Sequence, residues 1–321
     1  MNILISGGAG FVGSYVCNSL ISKKHKVDII DTGRFYLPSD NYFVKNQNLK
    51  SKLRLGINNH YNHSILDTSY LLNLLNNNNY DTLIHLAANP LATSAMKNPL
   101  DAFNEIVCGT NSICEAVRLS VNSSKTKIVL ISSSMVYGDF VNSEALESDK
   151  CEPKDMYGSF KYTSEIILKS YIRNFSLNGI IVRPSAVYGP GDHNKRVIQS
   201  LLQNVKLKKK IEIFDPDETH LDFTHVSELA NAICLLATKK VSNGNIYNAT
   251  RGEARSLRDV ANIIKEIVPD CIIVEKKNKE NFRPKRGKLN NKKIIKDVGA
   301  VFNIDLEKGI NNYWQYINEK N

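Results

Sequence analysis

Met1-Asn2-Ile3-Leu4-Ile5-Ser6-Gly7-Gly8-Ala9-Gly10-Phe11-Val12-Gly13 is the stretch whose reading decides the fold. An apolar run comes first, glycines 7, 10 and 13 recur at three-residue spacing, and apolar residues then resume at helical period to Leu20 and Ile21. A second apolar run, Val27 to Ile30, ends in Asp31. That order predicts strand, tight turn, helix and a second strand closing on an acid.

Each part has a physical task if a dinucleotide lies here. Gly7 permits a turn that a Cβ would obstruct, Gly10 lets the backbone approach a pyrophosphate, and Gly13 lets the helix pack closely on the strand. The phosphates would face the helix N-terminus, where backbone N–H groups and the helix dipole favour an anion. Asp31 would accept hydrogen bonds from the adenosine ribose hydroxyls and repel a 2′-phosphate, which favours NAD over NADP. Arg34 weakens that preference without reversing it. The alternative is a glycine-rich surface turn, and the flanking strand, helix and acid argue against it.

With 321 residues the chain can bury a large core and form two lobes. Its apolar and charged contents, 42% and 23%, are those of a globular protein. It has no run of eighteen apolar residues and no charged leader with a cleavage site, so neither a membrane span nor a secretory signal is expected. The six cysteines lack C-x-x-C pairs and metal-ligand spacing, which fits free thiols in a reducing cytoplasm. His60 and His63 have no third ligand nearby, so they read as a solvated loop and no metal is expected. The net charge is +10, but the basic residues concentrate late: ten Lys or Arg against Glu280 alone between Lys276 and Lys296. No aromatic interleaving accompanies them, so a solvated basic face or contact with an anionic phosphate fits better than nucleic acid.

Farther along, Lys52–Ile57 is a candidate third strand and Ser64-Ile65-Leu66-Asp67 opens a helix to about Asn76. Asp81–Ala88 reads as a buried parallel strand, Pro99–Val121 as a long helix, Lys127–Ser133 as a strand, Tyr157 to about Phe175 as a helix and Asn178–Arg183 as a sixth strand. This alternation predicts a doubly wound sheet over 1–183. The segment 226–248 would return to it as a helix from Val226 and a seventh strand at Asn245–Asn248. Residues 184–225 and 249–321 would form a smaller mixed α/β substrate lobe.

Ligands of open parallel sheets bind beyond the carboxyl ends of the strands, where Ser132-Ser133-Ser134 stands. Tyr157 and Lys161 lie four apart and so share a helix side. A tyrosine of ordinary pKa, about 10, is too weak a base at neutral pH. A neighbouring ammonium and a positive nicotinamide ring would favour the phenolate. Lys161 would also reach the nicotinamide ribose, and Ser133 would hold the reacting hydroxyl. Tyr-x-x-x-Lys alone is a common helix-surface pair; the joint order of glycine turn, acid, strand-end serine, Tyr and Lys gives it meaning.

Together with His85-Leu86-Ala87-Ala88, Met135-Val136-Tyr137-Gly138, Gly158-Ser159-Phe160, Arg183-Pro184, Val187-Tyr188-Gly189-Pro190-Gly191 and Asp222-Phe223-Thr224-His225-Val226, these motifs resemble the extended short-chain dehydrogenase/reductase superfamily. The similarity is to its NAD-dependent nucleotide-sugar epimerase/dehydratase group, typified by UDP-glucose 4-epimerase. The resemblance implies a Rossmann-type fold and bound NAD. Gly7, Gly10, Phe11, Val12 and Gly13 would lie at the pyrophosphate, Asp31, Thr32 and Arg34 at the ribose, and Ser64 and Ile65 at the adenine. Leu86, Ala87, Ala88, Tyr157, Lys161 and Pro184 would lie along the rest of the cofactor. It implies Ser133, Tyr157 and Lys161 as the catalytic set, and Ser133, Ser134, Arg196 and Arg283 as contacts to a nucleotide-diphosphate sugar. It also implies a homodimer.

Departures narrow the expectation. Dehydratases of this group carry Asp-Glu where Ser134-Met135 stands, so water elimination is not expected. Ile106 and Ala186 replace common asparagines, Ser64 a frequent aspartate, and Leu221 a frequent arginine. Three readings follow: a nucleotide-sugar 4-epimerase; a 4-dehydrogenase or 4-ketoreductase that releases its product, for example on a GDP-hexose or GDP-heptose; and a non-catalytic NAD-binding protein.

Overall fold

The structure, a computed structural model, describes residues 1–34, 56–192, 194–277 and 284–319. The first apolar run forms β1 (Asn2–Ser6) and the periodic segment forms α1 (Phe11–Ser22). Gly7 has φ 76°, and a Cβ on Gly13 would stand 2.2 Å from the Gly7 carbonyl oxygen. No side chain fits there, so the glycine spacing is what lets α1 leave the strand so tightly.

The chain continues through β2 (Lys26–Ile30), β3 (Asn59–Tyr61), α2 (Thr68–Asn77), β4 (Thr82–His85), α3 (Ala92–Lys97), α4 (Pro99–Phe103) and α5 (Gly109–Leu119). Then come β5 (Lys127–Ile131), α6 (Met156–Phe175), β6 (Asn178–Arg183), α7 (Val226–Thr238) and β7 (Ile246–Asn248). These seven strands form one sheet in the order β3-β2-β1-β4-β5-β6-β7, every neighbouring pair parallel. The order reverses direction between β1 and β4, which opens a crevice at their carboxyl ends.

A parallel sheet must be covered on both faces. Val16 and Leu20 of α1 pack with Leu229 and Ile233 of α7 on one face; Leu71 of α2, Ile113 of α5 and Leu168 of α6 cover the other. Helices Val197–Lys206, Leu257–Ile267 and Leu306–Glu319 gather around a separate apolar cluster that includes Leu202, Ile211, Ile264 and Ile310. Strands Ile211–Phe214 and Ile273–Lys276 pair in parallel beside them. Among the described residues no helix is long and apolar enough to cross a membrane.

Three expectations need correction. The sheet's third strand is Asn59–Tyr61 rather than Lys52–Ile57, of which 52–55 lie outside the described residues. It is a three-residue edge strand held by backbone pairing, so it leaves no apolar alternation to read. Ser64–Asp67 precede α2 instead of opening it, because the Asp67 side chain caps the helix by accepting from the Tyr70 N–H at 2.9 Å. The long helix from Pro99 is broken by a π-helical turn at Asn104–Cys108.

Candidate active site

A cleft of about 510 Å³ runs along the carboxyl ends of the strands, a volume suited to a cofactor-sized ligand. Its walls include Gly7, Gly10, Phe11, Val12 and Gly13 after β1, Asp31, Thr32 and Arg34 after β2, and Ser64 and Ile65 after β3. Leu86, Ala87 and Ala88 follow β4, Ser133 and Ser134 follow β5, Tyr157 and Lys161 come from α6, Pro184 follows β6, and Arg196 stands just before the helix Val197–Lys206. Every described residue expected at the site therefore meets in one cavity; Arg283 lies outside the described residues.

The glycine-turn end fits a dinucleotide on its own geometry. The space beside Gly7 is so narrow that a Cβ would approach the Ala87 backbone nitrogen to 2.6 Å. The first turn of α1 carries neither an acid nor a side-chain cap, as a helix that receives phosphate requires. Asp31 Oδ2 accepts from the Ala9 N–H at 2.9 Å and Oδ1 from the Gly33 N–H at 2.7 Å. The acid thus fixes the glycine turn against the end of β2.

The three consecutive serines are sent in three directions. Ser132 Oγ donates to Glu165 Oε1 at 2.6 Å, behind the cleft; Ser134 Oγ meets Ser185 Oγ at 3.3 Å. Ser133 caps a short 3₁₀ turn (Ser134–Tyr137), accepting from the Met135 N–H at 3.2 Å, and lines the cleft together with Tyr157. Asp155 caps α6 by accepting from the Gly158 N–H at 2.7 Å. A Cβ on Gly158 would meet the Met135 carbonyl oxygen at 2.6 Å, so glycine is what allows α6 to bring Tyr157 against the Ser133 turn.

Burial pushes the Tyr157 phenol up; the Arg196 guanidinium and the Ser133 hydroxyl act against that, and Asp155 adds to it. Lys161 is buried, and its Nζ donates to the Ile131 carbonyl oxygen at 3.0 Å and lies 5.9 Å from the Tyr157 ring centre. Burial lowers the ammonium to about 8, with Glu165 opposing. Lys161 thus stands beside the phenol, where it was expected, and the Arg196 guanidinium is a further cation that favours the phenolate. That guanidinium lies 5.7 Å from the Phe11 ring centre and pairs with buried Asp192 at 3.4 Å.

Met135 lines the cleft, and Arg286, expected with Arg196 and Arg283 at a diphosphate, enters beside Asp155, favouring that carboxylate against the burial that raises it. Glu105 in the cleft wall, and Asp192 behind Arg196, are residues that sequence reasoning missed. Asp192, at the end of Gly189-Pro190-Gly191, had no periodicity to announce it; its four-residue spacing from Arg196 was the available signal.

Residues 3–250 match the profile of the NAD dependent epimerase/dehydratase family. An uncharacterized UDP-glucose epimerase of Bacillus subtilis (strain 168) is 30% identical over 271 residues, 83% of this chain and 82% of that protein. A dTDP-D-glucose 4,6-dehydratase of Dictyostelium discoideum is 26% identical over 270 residues; the match spans 81% of this chain but 60% of that relative's length. Among solved structures, a UDP-glucuronic acid 4-epimerase of Bacillus cereus in complex with UDP-glucuronic acid and NAD superposes with a TM-score of 0.90, at 26% identity, over 99% of both chains.

Proposed function

This chain belongs to the NAD dependent epimerase/dehydratase family, and from that premise we propose that it is a nucleotide-sugar 4-epimerase, oxidising the C4 hydroxyl and reducing the resulting ketone on its other face. The observation that carries the proposal is the meeting of Ser133, Tyr157 and Lys161 with the Gly7–Gly13 turn and Asp31 in one cleft. The turn and Asp31 would hold the diphosphate and adenosine ribose, with Leu86 to Ala88 and Pro184 along the remainder. NAD supplies the hydride acceptor when bound.

Ser133 would donate to the sugar oxygen and fix it beside the phenol. Tyr157 would take the C4 hydroxyl proton and give it back once the ketone has turned over. Arg196, whose charge already favours the phenolate, would lower the penalty of ionising Tyr157 in a buried site. Lys161, tied to Ile131, would orient the cofactor's ribose. Arg196 and Arg286 would pair with the substrate diphosphate, since guanidinium donors match phosphate oxygens.

Water elimination needs a positioned acid and base. Ser134 is turned to Ser185, and Met135 has no titratable group, so we read the chain as lacking dehydratase chemistry. A second reading is favoured by the apolar Ala186 and Leu221 in the cleft wall, where the family resemblance implies polar contacts: a 4-dehydrogenase or 4-ketoreductase with a looser grip that releases its product.

Incubation with UDP-, GDP-, CDP-, ADP- and dTDP-sugars, followed by product analysis and nicotinamide absorbance, separates these readings. An epimer of unchanged mass without net cofactor reduction is the expected result. Stoichiometric reduction favours the second reading, and loss of one water restores the dehydratase. Tyr157→Phe is expected to lower turnover by about 10²–10⁴; full turnover in that variant would remove the proposal.

A further inference from the structure

Asp31 and Arg34 leave the same strand end with opposite implications. An acid there suits a ribose 2′-hydroxyl, whereas an arginine nearby accommodates a 2′-phosphate. The structure gives Arg34 other partners. Its Nη1 donates to Glu105 Oε1 at 2.9 Å, and its Nη2 donates to Asp101 Oδ1 and Oδ2 at 2.8 and 3.0 Å. Asp101 stands on α4 and Glu105 on the π-helical turn that follows, four residues apart and so on one face. Arg34 and Glu105 both line the cleft, in company with Thr32, His63 and Ser64.

We propose that Asp101 and Glu105 are specificity-determining residues that enforce NAD over NADP by occupying Arg34. This rests on reading the glycine-turn end of the cleft as the dinucleotide site. A guanidinium engaged by two carboxylates offers a 2′-phosphate little net attraction, and its donors are already committed. Asp31 adds a third negative charge at the same end. The pairs reach solvent, with side chains 48%, 33% and 18% accessible for Arg34, Asp101 and Glu105, so screening limits what they contribute to folding and they can be altered without unfolding the chain.

The test is calorimetric titration of nucleotide-free protein with NAD and with NADP. It compares the native chain, the Asp101→Asn/Glu105→Gln double variant and the triple variant that adds Arg34→Gln. The double variant is expected to bind NADP about tenfold tighter than the native chain, a change of ~1.4 kcal/mol, with NAD affinity little changed; Arg34→Gln is expected to abolish the gain. Unchanged NADP affinity in the double variant, with NAD binding intact, would overturn the inference and leave the dinucleotide site standing. A gain that survives Arg34→Gln would also overturn it, because the acids' field rather than their hold on Arg34 would then set the preference. A native chain that binds neither dinucleotide would bring down the underlying reading as well.

Discussion

Glu165, one helical turn beyond Lys161, anchors the floor beneath the candidate catalytic pair. Its fully buried carboxylate accepts from Arg183 Nε at 2.9 Å, Arg183 Nη2 at 2.6 Å and Ser132 Oγ at 2.6 Å. Arg183 is 1% exposed and lies 4.7 Å from the centre of the Tyr137 ring. An exposed pair of this kind contributes at most about 1 kcal/mol. Here Glu165→Leu would strand a guanidinium in the core, a loss of about 3–5 kcal/mol. With an unfolding entropy of about 2.1 cal/mol/K per residue, the 321-residue chain should lose roughly 4–7 °C in Tm. Glu165→Leu/Arg183→Met removes both charges together and should recover most of that loss, since neither partner is then left unpaired. Urea and thermal unfolding of the two single variants and the double variant form the cycle that measures the coupling. A loss below about 1 kcal/mol in Glu165→Leu, or a double variant as destabilised as the two singles together, would refute the assigned role of mutual burial.

Two other perturbations follow from the geometry. Gly158→Ala places a methyl 2.6 Å from the Met135 carbonyl oxygen; it should destabilise the chain by about 1–3 kcal/mol and lower kcat by moving Tyr157 from Ser133, and unchanged kcat would count against α6 setting that distance. His85 and His225, lowered by burial to about 3 and about 4, are neutral in the fold, while unfolded histidines protonate near 6.5. The unfolded chain therefore gains two protons as pH falls below 6.5, and stability drops. Asp222, raised by burial to about 6, opposes this because the folded state takes up its proton first. Over these three groups the difference near pH 5 is one proton, or about 1.4 kcal/mol lost per pH unit, which urea midpoints of the native chain against His85→Gln and His225→Gln variants at several pH values would reveal; variants whose loss over that range equals the native chain's would contradict the buried neutral histidines.

Much of the fold was legible because its causes are local. Asn178–Arg183 and the helix through Tyr157 and Lys161 lie where their patterns place them, since a buried parallel strand is apolar throughout and a capped amphipathic helix repeats every turn. The third strand escaped because an edge of three residues owes its existence to backbone pairing with Asp28, Ile29 and Ile30. The π-helical turn at Asn104–Cys108 escaped because it continues the apolar period of the helices on either side.

By itself the sequence determined the strand, glycine turn and helix, the acid that closes β2, and the residue types of the candidate catalytic set. The turn, helix and acid follow from steric or periodic constraints spanning a few neighbouring residues, and the catalytic set from the order of motifs between Gly7 and Lys161 and the family resemblance they carry. Only the tertiary structure decided that Ser132 and Ser134 are turned to Glu165 and Ser185, that Arg196, paired with Asp192, stands at the cleft, and that Arg34 is engaged by Asp101 and Glu105. Those outcomes depend on distances between segments tens of residues apart, and hydrogen bonds and charges act through space rather than along the chain.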